Sequence, residues 1–217
     1  MRSSAPPAPP EPPFDAILLV SFGGPEGPDD VMPFLENVTR GKPVPRERLE
    51  AVAEHYHHFG GKSPINDHCR ALIAALRAQL SANGVDLPIY WGNRNWHPLL
   101  PDTLRQMEHD GVTRAVAVFT SAFSSYSGCR QYQENIAAAQ AEVGHGAPRV
   151  DKVRPFFHHP GFLHAVTERT REAVAALPED QRAGAHFLFT AHSIPNAMAA
   201  TCAYEKQLAE ASRLVAE

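Results

Sequence analysis

Nowhere in its 217 residues does the chain hold an uninterrupted run of about 20 apolar residues, the length a helix needs to cross a bilayer. Its opening, Met-Arg-Ser-Ser-Ala-Pro-Pro, lacks the apolar stretch of a secretory signal, so the expected location is the cytoplasm and no membrane span is expected. Cysteine is scarce. Cys69, Cys129 and Cys202 are too few and too irregularly spaced for a disulfide framework, which agrees with a reducing compartment. No Cys-x-x-Cys pair occurs, and that argues against a self-contained zinc or iron–sulfur site. Positive charge is not in excess either: the formal net charge is -4, and nothing asks for nucleic acid. The Gly-x-Gly-x-x-Gly of a dinucleotide site is missing, as is the Gly-x-Ser-x-Gly elbow of a serine hydrolase.

What is present is the composition of an ordinary globular protein, with 43% hydrophobic and 20% charged residues. Residues 1–13 carry six prolines and no hydrophobic period, and an extended, disordered tail is expected there. From Phe14 onward short apolar runs alternate with helical patterns. Ala16–Phe22, Ile89–Gly92, Ala115–Thr120, Val150–Val153 and Phe187–Ala191 read as strands. Helices are expected over Asp29–Val38, Arg46–Phe59, Asp67–Ala82, Asp102–Asp110, Arg130–Glu142 and Gly161–Leu177, with a last one from Asn196 to Glu217. Strands that are apolar throughout and separated by helices imply βαβ units. The expected fold is α/β and doubly wound, a mainly parallel sheet flanked by helices.

The densest chemical signal is His186–Pro195, His-Phe-Leu-Phe-Thr-Ala-His-Ser-Ile-Pro, in which an apolar strand pattern delivers His192 to a proline-closed loop. Ligands of open parallel sheets bind at the carboxyl ends of strands, and a neutral imidazole there can accept a proton or ligate a transition metal. A second signal is Gly60-Gly61-Lys62-Ser63-Pro64, where a helix ends and Ser63 either offers a hydroxyl to a ligand or opens the next helix. His55, His57 and His58 precede it on different helix faces and read as solvated rather than as a metal cluster. The third signal, Ser124–Tyr132, brings Cys129, Arg130 and Tyr132 to the end of the central strand. Cationic surroundings lower a thiol pKa, but one cysteine makes no metal site.

Together these residues resemble the ferrochelatase family, the enzymes that insert ferrous iron into a porphyrin. The resemblance rests on Gly-Gly-Lys-Ser-Pro-Ile at 60–65 and Phe-Thr-Ala-His-Ser-Ile-Pro at 189–195. Leu-Leu-Val-Ser-Phe-Gly-Gly-Pro at 18–25, Gly-Asn-Arg-Asn-Trp-His-Pro at 92–98 and Ser-Ser-Tyr-Ser-Gly-Cys-Arg-Gln-Tyr at 124–132 are similar to the actinobacterial branch, whose substrate is coproporphyrin III. The resemblance implies two Rossmann-like lobes, residues 14–147 forming the first and 148–217 an incomplete second. It implies that His192 meets the iron or takes a pyrrole proton, that Ser63 and Tyr132 contact the porphyrin, and that Arg40 lies near its propionates. Where one branch has an axial tyrosine in the loop after the first strand, this chain has Phe22. Cys129 resembles one ligand of the [2Fe-2S] cluster of some members, and the family's catalytic glutamate belongs to a part of the family fold that these residues do not match. Glu205 is the first suspect for a substitute acid. The resemblance implies a monomer acting on Fe2+ and a porphyrin. The alternatives are a protoporphyrin ferrochelatase and a porphyrin-binding protein without catalysis.

Overall fold

The computed structural model describes residues 13–217, so all of the expected tail except Pro13 lies outside the described residues. Two compact units emerge. One comprises the described residues up to Val118 together with Asn135–Lys152, and the other Phe119–Glu134 together with Val153–Glu217.

The first unit is built on a four-stranded sheet of β1 (Ala16–Ser21), β2 (Ile89–Asn93), β3 (Arg114–Phe119) and β4 (Arg149–Lys152), in the order β2-β1-β3-β4. Pairing is parallel between β1 and β2, with Leu18 opposite Tyr90, and between β3 and β4, with Val116 opposite Asp151. All six residues of β1 are buried, the unbroken apolar run of a strand covered on both faces. The expected doubly wound α/β class is the one observed. Strand order reverses between β1 and β3, the point at which such sheets open a crevice.

Helices α1 (Val31–Val38), α2 (Arg46–His58), α3 (Ile65–Ala82) and α4 (Leu100–His109) surround this sheet. In α4 the buried residues Leu100, Thr103, Leu104 and Met107 recur at helical spacing and form one face. Gly92 lets that face close on β2, because a Cβ there would sit 2.9 Å from Leu100 Cδ2 and 3.1 Å from Thr103 Oγ1. On α1, Phe34 is met edge-on by Phe22, Tyr56 and Trp96 at 6.2, 5.9 and 6.1 Å. Each such pair contributes about 0.5–1.5 kcal/mol beyond its buried area. Buried Arg114 is satisfied by Asp151 Oδ2 at 2.8 Å and by the Phe14 ring 4.4 Å below its guanidinium.

In the second unit, the helix expected to begin at Arg130 is preceded by a π-helical turn over Tyr126–Arg130, and α5 runs from Gln131 to Val143, its later residues belonging to the first unit. Ser125 organises that turn by accepting the Gly128 N–H at 2.9 Å. Helix α6 (Pro160–Ala175) is followed by the single turns α7 (Glu179–Arg182) and α8 (Asn196–Ala199), and by α9 (Tyr204–Ala216), which packs against α6. The helix expected from Asn196 to the end is therefore interrupted. Thr201 Oγ1 and N both bond to Met198 O, at 3.0 and 3.1 Å, and take the carbonyl the helix would need to continue.

The expected strand Phe187–Ala191 is not formed. Residues 186–194 have no regular structure and, among the described residues, no main-chain to main-chain hydrogen bond. Leu188 is 88% exposed. An apolar run favours burial, but a strand exists only where a neighbour presents its own row of N–H and C=O groups. No such row reaches this segment.

Candidate active site

His192 stands in that irregular segment, on the wall of a cleft of about 320 Å³ that it shares with Phe123, Phe162, Phe189, Tyr204 and Leu208. Its Nδ1 lies 2.6 Å from Ser193 O. A carbonyl oxygen only accepts, so Nδ1 carries the proton and the neutral ring keeps its lone pair on Nε2. Behind the ring, Tyr204 Oη donates to His192 O at 3.1 Å. A mainly apolar cleft with one imidazole can receive a proton or ligate a first-row metal ion such as Fe(II), and can pack against a flat apolar ligand. Among the described residues no carboxylate lines this cleft, and Glu205 is exposed beside Tyr204 without taking part in it.

Tyr132 and Cys129 belong to the same unit but do not line the cleft. Tyr132 is buried with its ring 5.1 Å from that of Phe119, and Cys129 is half-buried on the π-helical turn, its N–H bonded to Ser125 O at 2.9 Å. No group of three or more His, Cys, Asp or Glu side chains among the described residues is arranged to hold a metal. A [2Fe-2S] cluster needs four ligands, so the described residues do not fit one.

In the first unit Ser63 lines an open cleft of about 530 Å³ with His55, Tyr56, Phe59, Lys62 and Pro64. The Ser63 N–H donates to Pro25 O at 2.8 Å, while its Oγ accepts a long 3.4 Å bond from Ile65 N. Gly24 faces Ser63 so closely that a Cβ on it would fall 2.6 Å from Ser63 Cβ. Buried Asn66 reinforces the junction, donating to Gly24 O at 3.1 Å and to Glu26 Oε1 at 2.8 Å. Glu26 and Asp67 are bridged by Arg70 and Lys62. The Arg70 guanidinium, and then Asn66 and Lys62, hold the Glu26 carboxyl below its usual range. Lys62, and then Arg70, do the same for Asp67. Arg40, in the turn after α1, is exposed and has no ion-pair partner among the described residues. Sequence reading assigned no role to Asn66, which closes the segment around Ser63, nor to Tyr204 and Gln207, which belong to no motif that signals chemistry.

The Ferrochelatase family model matches residues 14–217. The chain belongs to the ferrochelatase family. This ferrochelatase-family chain is 63% identical over 206 residues to a protein named ferrochelatase from Rhodopirellula baltica, an alignment that spans 95% of the chain and 58% of that protein. It is 57% identical over 190 residues to the coproporphyrin III ferrochelatase of Streptomyces griseus, covering 86% of the chain and 51% of the relative. With that of Streptomyces coelicolor the identity is 51% over 218 residues, 94% of the chain and 58% of the relative. The chain thus spans little more than half the length of these curated relatives. No helix among its described residues is long and apolar enough to cross a membrane.

Proposed function

We propose that this chain carries the histidine-bearing part of a cytoplasmic, monomeric ferrochelatase that inserts Fe2+ into coproporphyrin III. The observation that carries the reading is His192 itself: within a family signature, its Nδ1 is committed to Ser193 O, which leaves the Nε2 lone pair unused by that bond, and the residue lines a mainly apolar cleft. Insertion replaces two pyrrole protons by one Fe2+, so the site must take protons from ring nitrogens and release the metal from water. The Nε2 lone pair suits either task. The arrangement in the first unit supports a porphyrin-contacting role for Ser63, whose place is fixed by Gly24 and Asn66. Tyr132 is assigned to the porphyrin and Arg40 to its propionates, the latter on the strength of an exposed guanidinium without an ion-pair partner among the described residues. The names of the Streptomyces relatives favour coproporphyrin over protoporphyrin.

A second reading draws on the absence of a carboxylate from the described lining of the His192 cleft: these 217 residues bind porphyrin without inserting iron unaided. One experiment separates the two. His192→Ala should lower iron insertion by about a hundredfold or more, the scale of a lost general base, with porphyrin affinity within a few-fold of wild type. Insertion that survives the substitution refutes the first reading. Tight porphyrin binding without insertion by the unsubstituted chain selects the second.

A further inference from the structure

We infer that Tyr204 is a positioning residue for His192, acting through the main chain of the histidine loop. The inference rests on the proposed role of His192. Residues 186–194 make no main-chain to main-chain hydrogen bond among the described residues, so the direction of the imidazole depends on few contacts. Among the described residues, the Tyr204 Oη bond to His192 O at 3.1 Å is the one hydrogen bond that reaches this segment from another element. The second bond, Nδ1 to Ser193 O, closes within the loop and orients the ring relative to its own backbone. The first bond holds the carbonyl of the His192–Ser193 peptide, and the second closes across that same peptide, so the tautomer of the ring reports whether the loop backbone keeps the shape that Tyr204 holds.

The mount is rigid where it must be. Tyr204 is the first residue of α9, and its ring meets Phe123 edge-on at 6.2 Å. Phe123 in turn contacts Phe157 and Phe162, both with centroids at 6.3 Å. One turn along α9, Gln207 Oε1 accepts the Ser124 N–H at 2.7 Å, and Ala211 and Val215 bury the far end of the helix. The phenol is therefore held by contacts that do not involve the histidine loop.

The test uses the full chain with its histidines labelled with 15N, read by NMR for the tautomer of His192, whose signal is identified by its loss in His192→Gln. Wild-type protein should show the Nδ1–H form instead of the Nε2–H form that predominates in water. Tyr204→Phe keeps the ring against Phe123 and removes only the hydroxyl. It should move His192 toward the solvent tautomer while the thermal midpoint stays within a few degrees, and, in protein competent for insertion, lower kcat by about three- to tenfold, the size of one hydrogen bond, at an unchanged porphyrin KM. Gln207→Ala, which loosens α9 without touching the loop, should leave the tautomer as it is. An unchanged tautomer in Tyr204→Phe overturns the inference, and so does the same change in both variants, because general loosening of α9 would then explain it. If Tyr204→Phe shifts the tautomer while His192→Ala retains insertion, the positioning stands and the proposed role of His192 falls.

Discussion

Replacing Gly24 by alanine tests whether the loop after β1 and the Ser63 turn form one packed junction. Gly24 has an ordinary backbone, so the penalty is steric. The added methyl would lie 2.6 Å from Ser63 Cβ and 2.8 Å from both Ile65 Cγ2 and Ser63 Oγ. None of these is the far end of a flexible side chain, so the two segments must separate. Overpacking of this kind costs about 1–3 kcal/mol. Separation also strains the bonds from Asn66 Nδ2 to Gly24 O and from Ser63 N to Pro25 O. Each is worth about 0.5–1.5 kcal/mol, and partial loss brings the expected total to about 2–4 kcal/mol. For a chain of this size that is a fall of roughly 4–16 °C in thermal midpoint. Porphyrin affinity, followed by quenching of porphyrin fluorescence, should weaken alongside if Ser63 contacts the macrocycle. Gly27→Ala is the control, since a Cβ there meets nothing within 4 Å and its extended backbone suits any residue. A Gly24→Ala midpoint equal to that of Gly27→Ala would refute the steric reasoning.

Glu26→Gln should lower the midpoint at pH 7 slightly and flatten its fall in acid. The Glu26 carboxyl is held below its ordinary 4.5 by Arg70 first, so its stabilisation is complete above the unfolded value and lost as pH falls through the folded one. Parallel acid limbs in wild type and variant would count against that linkage. Leu104→Ala, at a position with 0% exposure, should cost about 2–5 kcal/mol in chemical unfolding. Leu188→Lys, at 88% exposure, should change stability by less than about 0.5 kcal/mol, and a larger loss would mean that the segment packs more tightly than its exposure indicates.

Much of the first unit is legible in the sequence because β1 and β3 are mostly apolar and its helices repeat at the helical period. All four runs that became β1 to β4 find neighbours within the same unit. Phe187–Ala191 is equally apolar, but whether it becomes a strand depends on a partner that no local pattern encodes. The π-helical turn before α5 and the break after Ala199 also escape such reading. Both arise from side-chain oxygens, of Ser125 and Thr201, that compete for backbone groups. Among the candidate site residues, His192 and Ser63 stand out because their motifs are dense. Tyr204 does not, because a tyrosine twelve residues beyond the histidine has no periodic relation to it. Only the folded loop brings its hydroxyl to the His192 carbonyl.

The bond between Nδ1 and Ser193 O has a consequence for what happens when a proton arrives. In the neutral ring Nδ1 already bears hydrogen, so a proton taken up by Nε2 gives an imidazolium that keeps the same Nδ1–H bond, strengthened by charge. When that proton leaves, the bond again survives. In the role proposed for His192, the ring would take and give up that proton without turning over and without exchanging its backbone partner, so little reorganisation would accompany the transfer. A site built in this way is reset by the departure of the proton alone.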